Sequence, residues 1–341
     1  MSADRDLVEH WCATETVGGA QVVVVRHGVR TADVTVGTRS ADGAPVTART
    51  RFPLWSATKP VTAAALHLLV DAGYVHYDDR VATYWPEFAA NGKGAVTVRQ
   101  VLTHTAGLPD LEGVLGPGEH RDWHRATALL AGLPLEPAAG SVVYHALTAS
   151  AVIAVVVERV TGRRFADVVH DRVLLPAGMQ DTSWAAPLDC PDDTTDVVTT
   201  SPALQSVAGE ILDAIGSGAV VPGGGLWSTA RDLAGFYGAL PRLLSPRLLA
   251  EVTMLHAPFG PHAQVGFGLH MMVGVDPRIP GSRGSRLSSR TYGHPGWCAT
   301  LALCDPERAL VLVALVNTAL PQEDSDARFA RLCDALADVE S

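Results

Sequence analysis

The sequence predicts an α+β fold in which one antiparallel sheet is built from both ends of the chain and flanked by helices. Runs with the alternation and β-branched content of strands lie in residues 20–40 and 265–317, whereas the sequence between them is mostly helical in its periodicity. Pairing the two β-rich ends in one sheet buries their apolar faces most simply. We therefore divide the chain into a sheet-containing region, residues 1–73 and 225–341, and a mostly helical inserted region, residues 74–224, within one compact unit.

The bulk composition is that of a packed globular protein. The chain has 341 residues, of which 47% are hydrophobic and 18% charged, so it can bury a sizeable core. A formal net charge of −10 with scattered arginines argues against a nucleic-acid partner. The longest apolar run is too short to cross a membrane. No export signal is recognisable and the five cysteines form no C-x-x-C pair, which together favour a cytoplasmic location. The composition leaves the oligomeric state open.

The first predicted elements are a β-hairpin and a long helix. AQVVVVRHG and TADVTVGTRS, within residues 20–40, alternate β-rich runs with turn residues. The stretch Phe52 to Gly73 follows, and its apolar run keeps a helical pattern until Gly73 stops it.

Helices and then strands are predicted after this helix. Residues 121–185 are mostly helical by period, after which residues 186–224 lack periodicity and are predicted as a long irregular loop. The predicted elements are a turn at 137–140, helices at 145–161, 165–175, 230–240 and 245–255, strands at 266–274, 290–297, 298–305 and 309–317, and a final amphipathic helix at 324–339.

Ser56 and Lys59 are the first candidates for chemistry. They lie three residues apart at the start of the predicted helix, so the hydroxyl and the ammonium group come within reach of each other. The helix N-terminus favours the alkoxide form of serine and the neutral form of lysine. Only Lys59 and Lys93 are lysines, and an arginine in place of Lys59 would be unable to act as a base. The motif alone leaves open an N-cap serine beside a solvated lysine.

Two further motifs complete an ordered set. Tyr144 lies at the start of a predicted helix, and His294-Pro295-Gly296 lies on a predicted strand. With S-x-x-K before them, the chain resembles the serine β-lactamase and penicillin-binding-protein superfamily, most closely the branch of class C β-lactamases, D-aminopeptidases, family VIII esterases and related acyltransferases. LTHTAGLP at 102–109 and GGLWSTARDLAGF at 224–236 are similar to this branch as well. The resemblance spans most of the chain.

This resemblance implies a β-lactamase/transpeptidase-like fold and a serine enzyme that needs no cofactor and no metal. Ser56 is expected to be the acylated nucleophile, Lys59 its hydrogen-bonded partner and Tyr144 the phenol that shares proton transfer. The backbone N–H groups of Ser56 and Trp297 are expected to form the oxyanion hole. The residues expected to contact the substrate are His294, Gly296, Trp297 and Trp55.

Two departures from the lactamase pattern bear on the substrate. Tyr144-His145-Ala146 lacks the asparagine of Tyr-x-Asn, and His294 replaces the lysine of Lys-Thr-Gly. Because histidine is mostly neutral at pH 7, a carboxylate-bearing substrate loses its fixed positive partner. We therefore expect a hydrolase acting on small neutral acyl esters or thioesters. The alternatives are an acyltransferase using the same acyl-serine, a true β-lactamase or D-aminopeptidase acting on amides, and a catalytically silent binding protein with the same fold.

Two other polar residues in these motifs are assigned to structure. His104 is expected to belong to a capped turn and Asp232 to the first turn of a helix.

Overall fold

The computed structural model describes residues 2–15, 17–111, 122–136, 141–184, 194–199, 212, 219–275, 284, 286–297 and 299–339. The predicted turn at 137–140 and most of the predicted loop at 186–224 lie outside these residues.

An eight-stranded antiparallel sheet forms the centre of the fold, and both ends of the chain contribute to it, as predicted. In spatial order its strands are β2 (Val29–Gly37), β1 (Gly19–Arg26), β11 (Leu310–Val316), β10 (Thr300–Asp305), β9 (Tyr292–Gly293), β8 (Met272–Val273), β7 (Gly266–Phe267) and β6 (Ala257–Pro258). Two further strand pairs are β3 (Phe52–Pro53) with β5 (Trp227–Ser228), and β4 (Val198–Thr199) with β12 (Thr318–Ala319).

Helices cover both faces of this sheet. The α-helices are α1 (Ala3–Thr14), α2 (Thr58–Asp71), α3 (Val81–Tyr84), α4 (Val98–Leu102), α5 (Trp123–Gly132), α6 (Thr148–Thr161), α7 (Phe165–Val169), α8 (Leu175–Ala177), α9 (Ala230–Leu243), α10 (Pro246–Val252) and α11 (Gln322–Ala337). Along β1, Val22 and Val24 pack in one cluster with residues of α1 and α11, whereas Val23 packs in the opposite cluster with α2 and α9. The central strands are mostly apolar, as expected for strands that are buried on both faces.

Three elements differ from the sequence predictions for identifiable reasons. The strand predicted at 266–274 is a tight hairpin, β7 and β8, which turns at His270 with a φ of 67°. The strand predicted at 290–297 is regular only to Gly293, although single hydrogen bonds to β10 continue beyond it, from the His294 N–H to the Ala302 carbonyl and from the Gly296 N–H to the Thr300 carbonyl. The helix predicted from residue 145 begins at Thr148, because the Asp110 carboxylate accepts the N–H groups of the two residues ahead of it.

Helix α1 has no counterpart among the predicted elements. The Ser2 side chain caps it by accepting the Arg5 N–H, and two aspartates lie in its first turn. Its apolar side packs against the sheet. Within the residues that the structure describes, no helix combines the length and the apolar character needed to cross a membrane. The division into a sheet-containing region and an inserted helical region stays a prediction.

Candidate active site

Ser56 lies in a 3₁₀ turn, Trp55–Ala57, immediately before α2. Leu54, which precedes this turn, is held by a hydrogen bond from its N–H to the Leu226 carbonyl, at 2.8 Å. Trp55 has a φ of 50°, a left-handed conformation that is uncommon for a residue with a side chain. Such backbone strain is concentrated at functional sites. The sharp turn presents the Ser56 hydroxyl at the start of the helix.

Lys59 is fully buried, and its ammonium group contacts Ser56. Lys59 Nζ donates to Ser56 Oγ at 3.1 Å and to the Gly223 carbonyl at 2.8 Å. Position 223 requires glycine, because a Cβ there would lie 2.7 Å from the carbonyl oxygen of Ala146. The close approach of this loop lets its carbonyl reach Lys59. Lys59 is therefore not a solvated side chain, as the alternative of an N-cap serine beside an exposed lysine would require.

Tyr144 completes the contacts of the serine. Its hydroxyl donates to Ser56 Oγ at 2.8 Å, and its ring centroid lies 5.1 Å from Lys59 Nζ. The structure therefore brings Tyr144, which is distant in the sequence, into contact with Ser56 and Lys59, which lie one helical turn apart. Their catalytic roles stay predictions.

The predicted oxyanion hole consists of the backbone N–H groups of Ser56 and Trp297, and its role stays a prediction. Ser56 and Trp297 line the same cavity. No backbone hydrogen bond between described residues uses the N–H of either one. Trp55 is buried and does not line the cavity; its ring meets the Trp297 ring edge-on, with centroids 5.3 Å apart. Trp55 is thus placed to support Trp297 from behind.

His294 and Gly296 also line this cavity. His294 is buried, and its Nδ1–H donates to the Pro295 carbonyl at 2.7 Å, which places the proton on that nitrogen. A Cβ on Gly296 would lie 2.4 Å from the Leu54 carbonyl and 2.8 Å from Thr300 Cβ. Packing therefore requires glycine at position 296, and the contact with a substrate that was expected for this residue stays a prediction.

The cavity in front of Ser56 has a volume of about 430 Å³. Its walls are mainly apolar, and the described residues that line it include no lysine and no arginine. The lining residues are Ser56, Val142, Tyr144, Phe259, Phe267, Met272, His294, Pro295, Gly296, Trp297 and Gln322. Phe259, directly after β6, Phe267 in β7 and Met272 in β8 belong to none of the motifs and are not among the residues predicted to contact the substrate.

Buried histidines lie beside and beneath the site. Burial lowers the pKa of His67 to about 4 and the pKa of His104 and of His270 well below the ordinary value. The nearby Lys59 adds to this effect for His104 and His270. Burial likewise lowers the pKa of His145. These imidazoles are therefore neutral at pH 7. Among the described residues, no group of histidine, cysteine and acidic side chains is arranged to hold a metal ion.

A serine held by a lysine and a tyrosine, at the start of a helix beside an antiparallel sheet, places the molecule among the serine hydrolases and acyltransferases. Its sequence matches the beta-lactamase family over residues 5–336, and the chain belongs to that family. It is a hydrolase of the serine β-lactamase fold.

Known relatives agree with this assignment. Protein Rv1367c of Mycobacterium tuberculosis is 32% identical, in an alignment that covers 83% of this chain and 81% of that protein. The esterase/beta-lactamase LipL of the same organism is 27% identical, over 89% of this chain and 77% of that protein. The solved structure of a penicillin-binding protein homologue from Caulobacter crescentus superposes with a TM-score of 0.83 and 27% identity, over 98% of this chain and 96% of the other.

A solved family VIII carboxylesterase shares the fold. Its TM-score is also 0.83, at 24% identity, and the match covers 98% of this chain and 97% of that one.

Proposed function

We propose that this chain is a carboxylesterase that cleaves small neutral acyl esters or thioesters through an acyl-enzyme on Ser56. One observation carries the proposal: Ser56 Oγ lies 3.1 Å from Lys59 Nζ and 2.8 Å from the Tyr144 oxygen, at the edge of an apolar cavity. Both partners are within the distance at which a proton passes directly between groups.

Acylation starts with removal of the Ser56 proton. Neutral Lys59 first takes up a proton through Ser56 Oγ, which in turn receives the proton of Tyr144, so that Lys59 becomes the ammonium and Tyr144 the phenolate. The phenolate then accepts the serine proton while Oγ bonds to the substrate carbonyl carbon. Lys59 stabilises the phenolate and the alkoxide, because its ammonium contacts both the hydroxyl and the phenol ring. The backbone N–H groups of Ser56 and Trp297 stabilise the oxyanion. Tyr144 then donates the proton to the departing alcohol or thiol as the bond to it breaks.

Deacylation repeats these steps with a second nucleophile. Water loses a proton to Tyr144 as its oxygen attacks the acyl carbon, and the bond to Ser56 Oγ breaks as Oγ takes the proton back. The products are the free carboxylic acid and the original enzyme. An alcohol or amine in place of water gives acyl transfer by the same proton movements.

The apolar lining supports a neutral substrate. A carboxylate brought into the cavity would find neither lysine nor arginine among the described lining residues, and the Nδ1–H of His294 is already donated to Pro295. Burying an ion without a partner costs several kcal/mol. An aliphatic or aromatic acyl group is stabilised instead by about 25 cal/mol per Å² of apolar surface that it buries. Esterase names occur among the relatives, as for LipL and for Esterase EstB of Burkholderia gladioli.

Intact-mass spectrometry with p-nitrophenyl esters and with a fluorophosphonate tests the nucleophile. The protein should gain the mass of one acyl or phosphonyl group, located on Ser56 by peptide mapping. Ser56→Ala should gain neither. Labelling of that variant at the level of the original chain would overturn the proposal. Adding water alone or an alcohol to the acyl-enzyme then separates hydrolysis from acyl transfer by the product formed.

The substrate class is tested by comparing kcat/KM for a chromogenic cephalosporin and a neutral p-nitrophenyl ester between pH 5.5 and 8.5. The ester should be preferred at neutral pH by roughly ten- to a hundredfold, the value of a lost charge-assisted contact. Equal turnover of the cephalosporin at neutral pH would contradict the esterase proposal in favour of a lactamase.

A further inference from the structure

Residues 102–111, which contain the LTHTAGLP motif, wrap around the backbone that carries Tyr144. The Leu108 N–H donates to His145 Nε2 at 3.2 Å, and the Asp110 carboxylate accepts the N–H groups of Ala146 and Leu147. These contacts hold the residues that follow Tyr144 and start helix α6. The contacts closest to Tyr144 come from one residue of the LTHTAGLP motif, His104.

His104 holds the chain on both sides of Tyr144. Its carbonyl accepts the Val143 N–H at 2.9 Å, and its Nδ1 accepts the His145 N–H at 3.1 Å. The His104 ring packs against the Tyr144 ring, with centroids 5.0 Å apart, and against Phe267, with centroids 4.4 Å apart. The residue before the tyrosine, the residue after it and the phenol ring therefore all rest on one fully buried histidine.

The chemistry of these contacts requires a neutral imidazole in one tautomer. Because Nδ1 accepts an N–H, the proton of the ring sits on Nε2. A protonated ring would present a second N–H to the His145 N–H and would break the contact. Burial and the neighbouring positive charge of Lys59 keep the pKa of His104 low, so that Nδ1 stays an acceptor at neutral pH.

Two other features of His104 destabilise the fold. Its φ is 57°, in the left-handed region that side chains seldom adopt, and its Nε2 is buried without a hydrogen-bond partner in the described part of the chain. A buried donor without a partner loses the hydrogen bond that it makes to water in the unfolded chain, which destabilises the fold. An apolar residue would avoid that loss, so packing alone does not account for a histidine here.

We infer that His104 is the positioning residue of the catalytic tyrosine: its carbonyl and Nδ1 fix the backbone on both sides of Tyr144, and its ring fixes the phenol against Ser56. This inference rests on the proposed function, which assigns proton transfer to Tyr144. It revises the purely structural role that the sequence analysis gave to His104. A displacement of about 1 Å in a group that transfers a proton is enough to cost on the order of a hundredfold in rate.

Three substitutions separate the acceptor from the ring. His104→Asn keeps an acceptor oxygen near the place of Nδ1 and tolerates a positive φ. His104→Gln is also an amide but carries its oxygen one bond further out, and His104→Phe keeps the ring without any acceptor. His67→Phe is the matched control, because His67 is equally buried and hydrogen-bonded but contacts Tyr77 and the Leu269 carbonyl rather than Tyr144.

The measurements are the rate of fluorophosphonate labelling at Ser56, kcat and KM for a p-nitrophenyl ester, and the thermal unfolding midpoint. His104→Phe should slow labelling and lower kcat by roughly ten- to a hundredfold with KM within about twofold of the original value. His104→Asn and His104→Gln both lose the ring, and His104→Asn, which keeps the acceptor near Nδ1, should be the faster of the two. His67→Phe should lower the unfolding midpoint and leave kcat unchanged.

The outcomes distinguish this inference from the proposed function. If the unsubstituted chain is not labelled at Ser56, the proposed function fails first. If it is labelled, and folded His104→Phe reacts at the original rate, the positioning role is refuted. Should His104→Phe fail to fold, the comparison of Asn with Gln decides: equal rates in two folded variants would also refute it.

Discussion

Lys59 is the residue whose chemistry is easiest to separate from its charge. Lys59→Arg keeps a cation in the site but cannot share a proton, and its planar group does not fit the space of a buried ammonium that contacts Ser56 and Gly223. We expect kcat/KM for a p-nitrophenyl ester to fall at least about a hundredfold.

The other lysine of the chain provides the control for this substitution. Lys93 is also fully buried, and its ammonium donates to the carbonyls of Ala90 and Leu133, away from Ser56. Lys93→Arg should lower stability with little change in kcat/KM. Full activity in Lys59→Arg would reduce Lys59 to a structural charge.

Phe259 is the residue through which acyl-chain length should be controlled. It lines the cavity, is only partly buried, and packs against Phe267 with ring centroids 5.2 Å apart. Each methylene that a substrate buries contributes about 0.8 kcal/mol, so contact with this ring should favour hexanoate over acetate esters.

Phe259→Ala should therefore lower the hexanoate-to-acetate ratio of kcat/KM several-fold while acetate hydrolysis is nearly unchanged. The ratio is measured with p-nitrophenyl esters from C2 to C8. A ratio that stays the same would show that the acyl group lies elsewhere in the cavity.

The candidate catalytic residues were accessible to sequence reasoning because their order along the chain is distinctive. Ser56, Lys59 and Tyr144 form motifs of reactive side chains, and the structure brings them together. Gly223 and Phe259 contribute a carbonyl and an apolar surface, which many residues can supply, so no local pattern marks them. His104 was visible in the LTHTAGLP motif, but its contact with the backbone around Tyr144 depends on tertiary structure.

At the scale of elements, helix α1 is attached to the sheet by a buried ion pair. Arg26 Nε lies 2.8 Å from Asp4 Oδ2, and both side chains are almost fully buried. Asp4→Ala removes the acid and leaves the Arg26 charge buried, which should lower the free energy of unfolding by about 3–5 kcal/mol in urea denaturation.

A second ion pair, made by the residue that follows the same helix, has one exposed partner and serves as the comparison. Glu15 pairs with Arg331 of α11, whose side chain is 58% exposed. Glu15→Ala should cost at most about 1 kcal/mol. Equal losses in the Asp4 and Glu15 variants would mean that burial of the first pair does not determine its contribution.

The elements that sequence reasoning identified are those with a strong period or a tight connection. The β1–β2 hairpin, the pair β10 and β11, and helix α9 all have this character. The sequence predicts one strand for the β7–β8 hairpin, because GFGLHMMVG carries no turn signal apart from glycine. The turn at His270 is fixed by a hydrogen bond from the His270 N–H to the Leu102 carbonyl. A turn that is stabilised from a distant segment leaves no local pattern.

At the scale of the whole molecule, the buried histidines should make the fold sensitive to acid. The folded-state pKa of His67 is about 4, whereas the unfolded chain has the ordinary value of about 6.5. Below about pH 6.5 the unfolded state therefore binds more protons than the folded state, and the free energy of unfolding falls as pH falls. His104, His145 and His270 act in the same direction, since burial lowers their pKa values too.

One carboxyl opposes this trend. Burial raises the pKa of Asp232 to about 6, so its folded form binds more protons than its unfolded form between about pH 4 and 6, which favours folding in acid. The variant His67→Phe isolates the contribution of one histidine to the pH dependence of stability. Urea denaturation at pH 7.5 and 5.5 should show a fall in stability for the original chain, and a fall smaller by about 1 kcal/mol for His67→Phe. An identical fall in both would assign the acid sensitivity to other groups.

The central position of β1 has a consequence for folding during synthesis on the ribosome. Its hydrogen-bonded neighbour on one side is β11, where Ala20 pairs with Val316, so this edge of β1 stays unpaired until residue 316 has been synthesised. At ribosomal speeds of roughly 5–20 residues per second this delay is about 15–60 s. Throughout that time the nascent β1–β2 hairpin exposes an unpaired strand edge, which can form hydrogen bonds with strands of other chains. Ribosome-stalled chains that end before residue 300 should consequently be cut rapidly by protease, and resistance should appear only once β10 and β11 have left the ribosome.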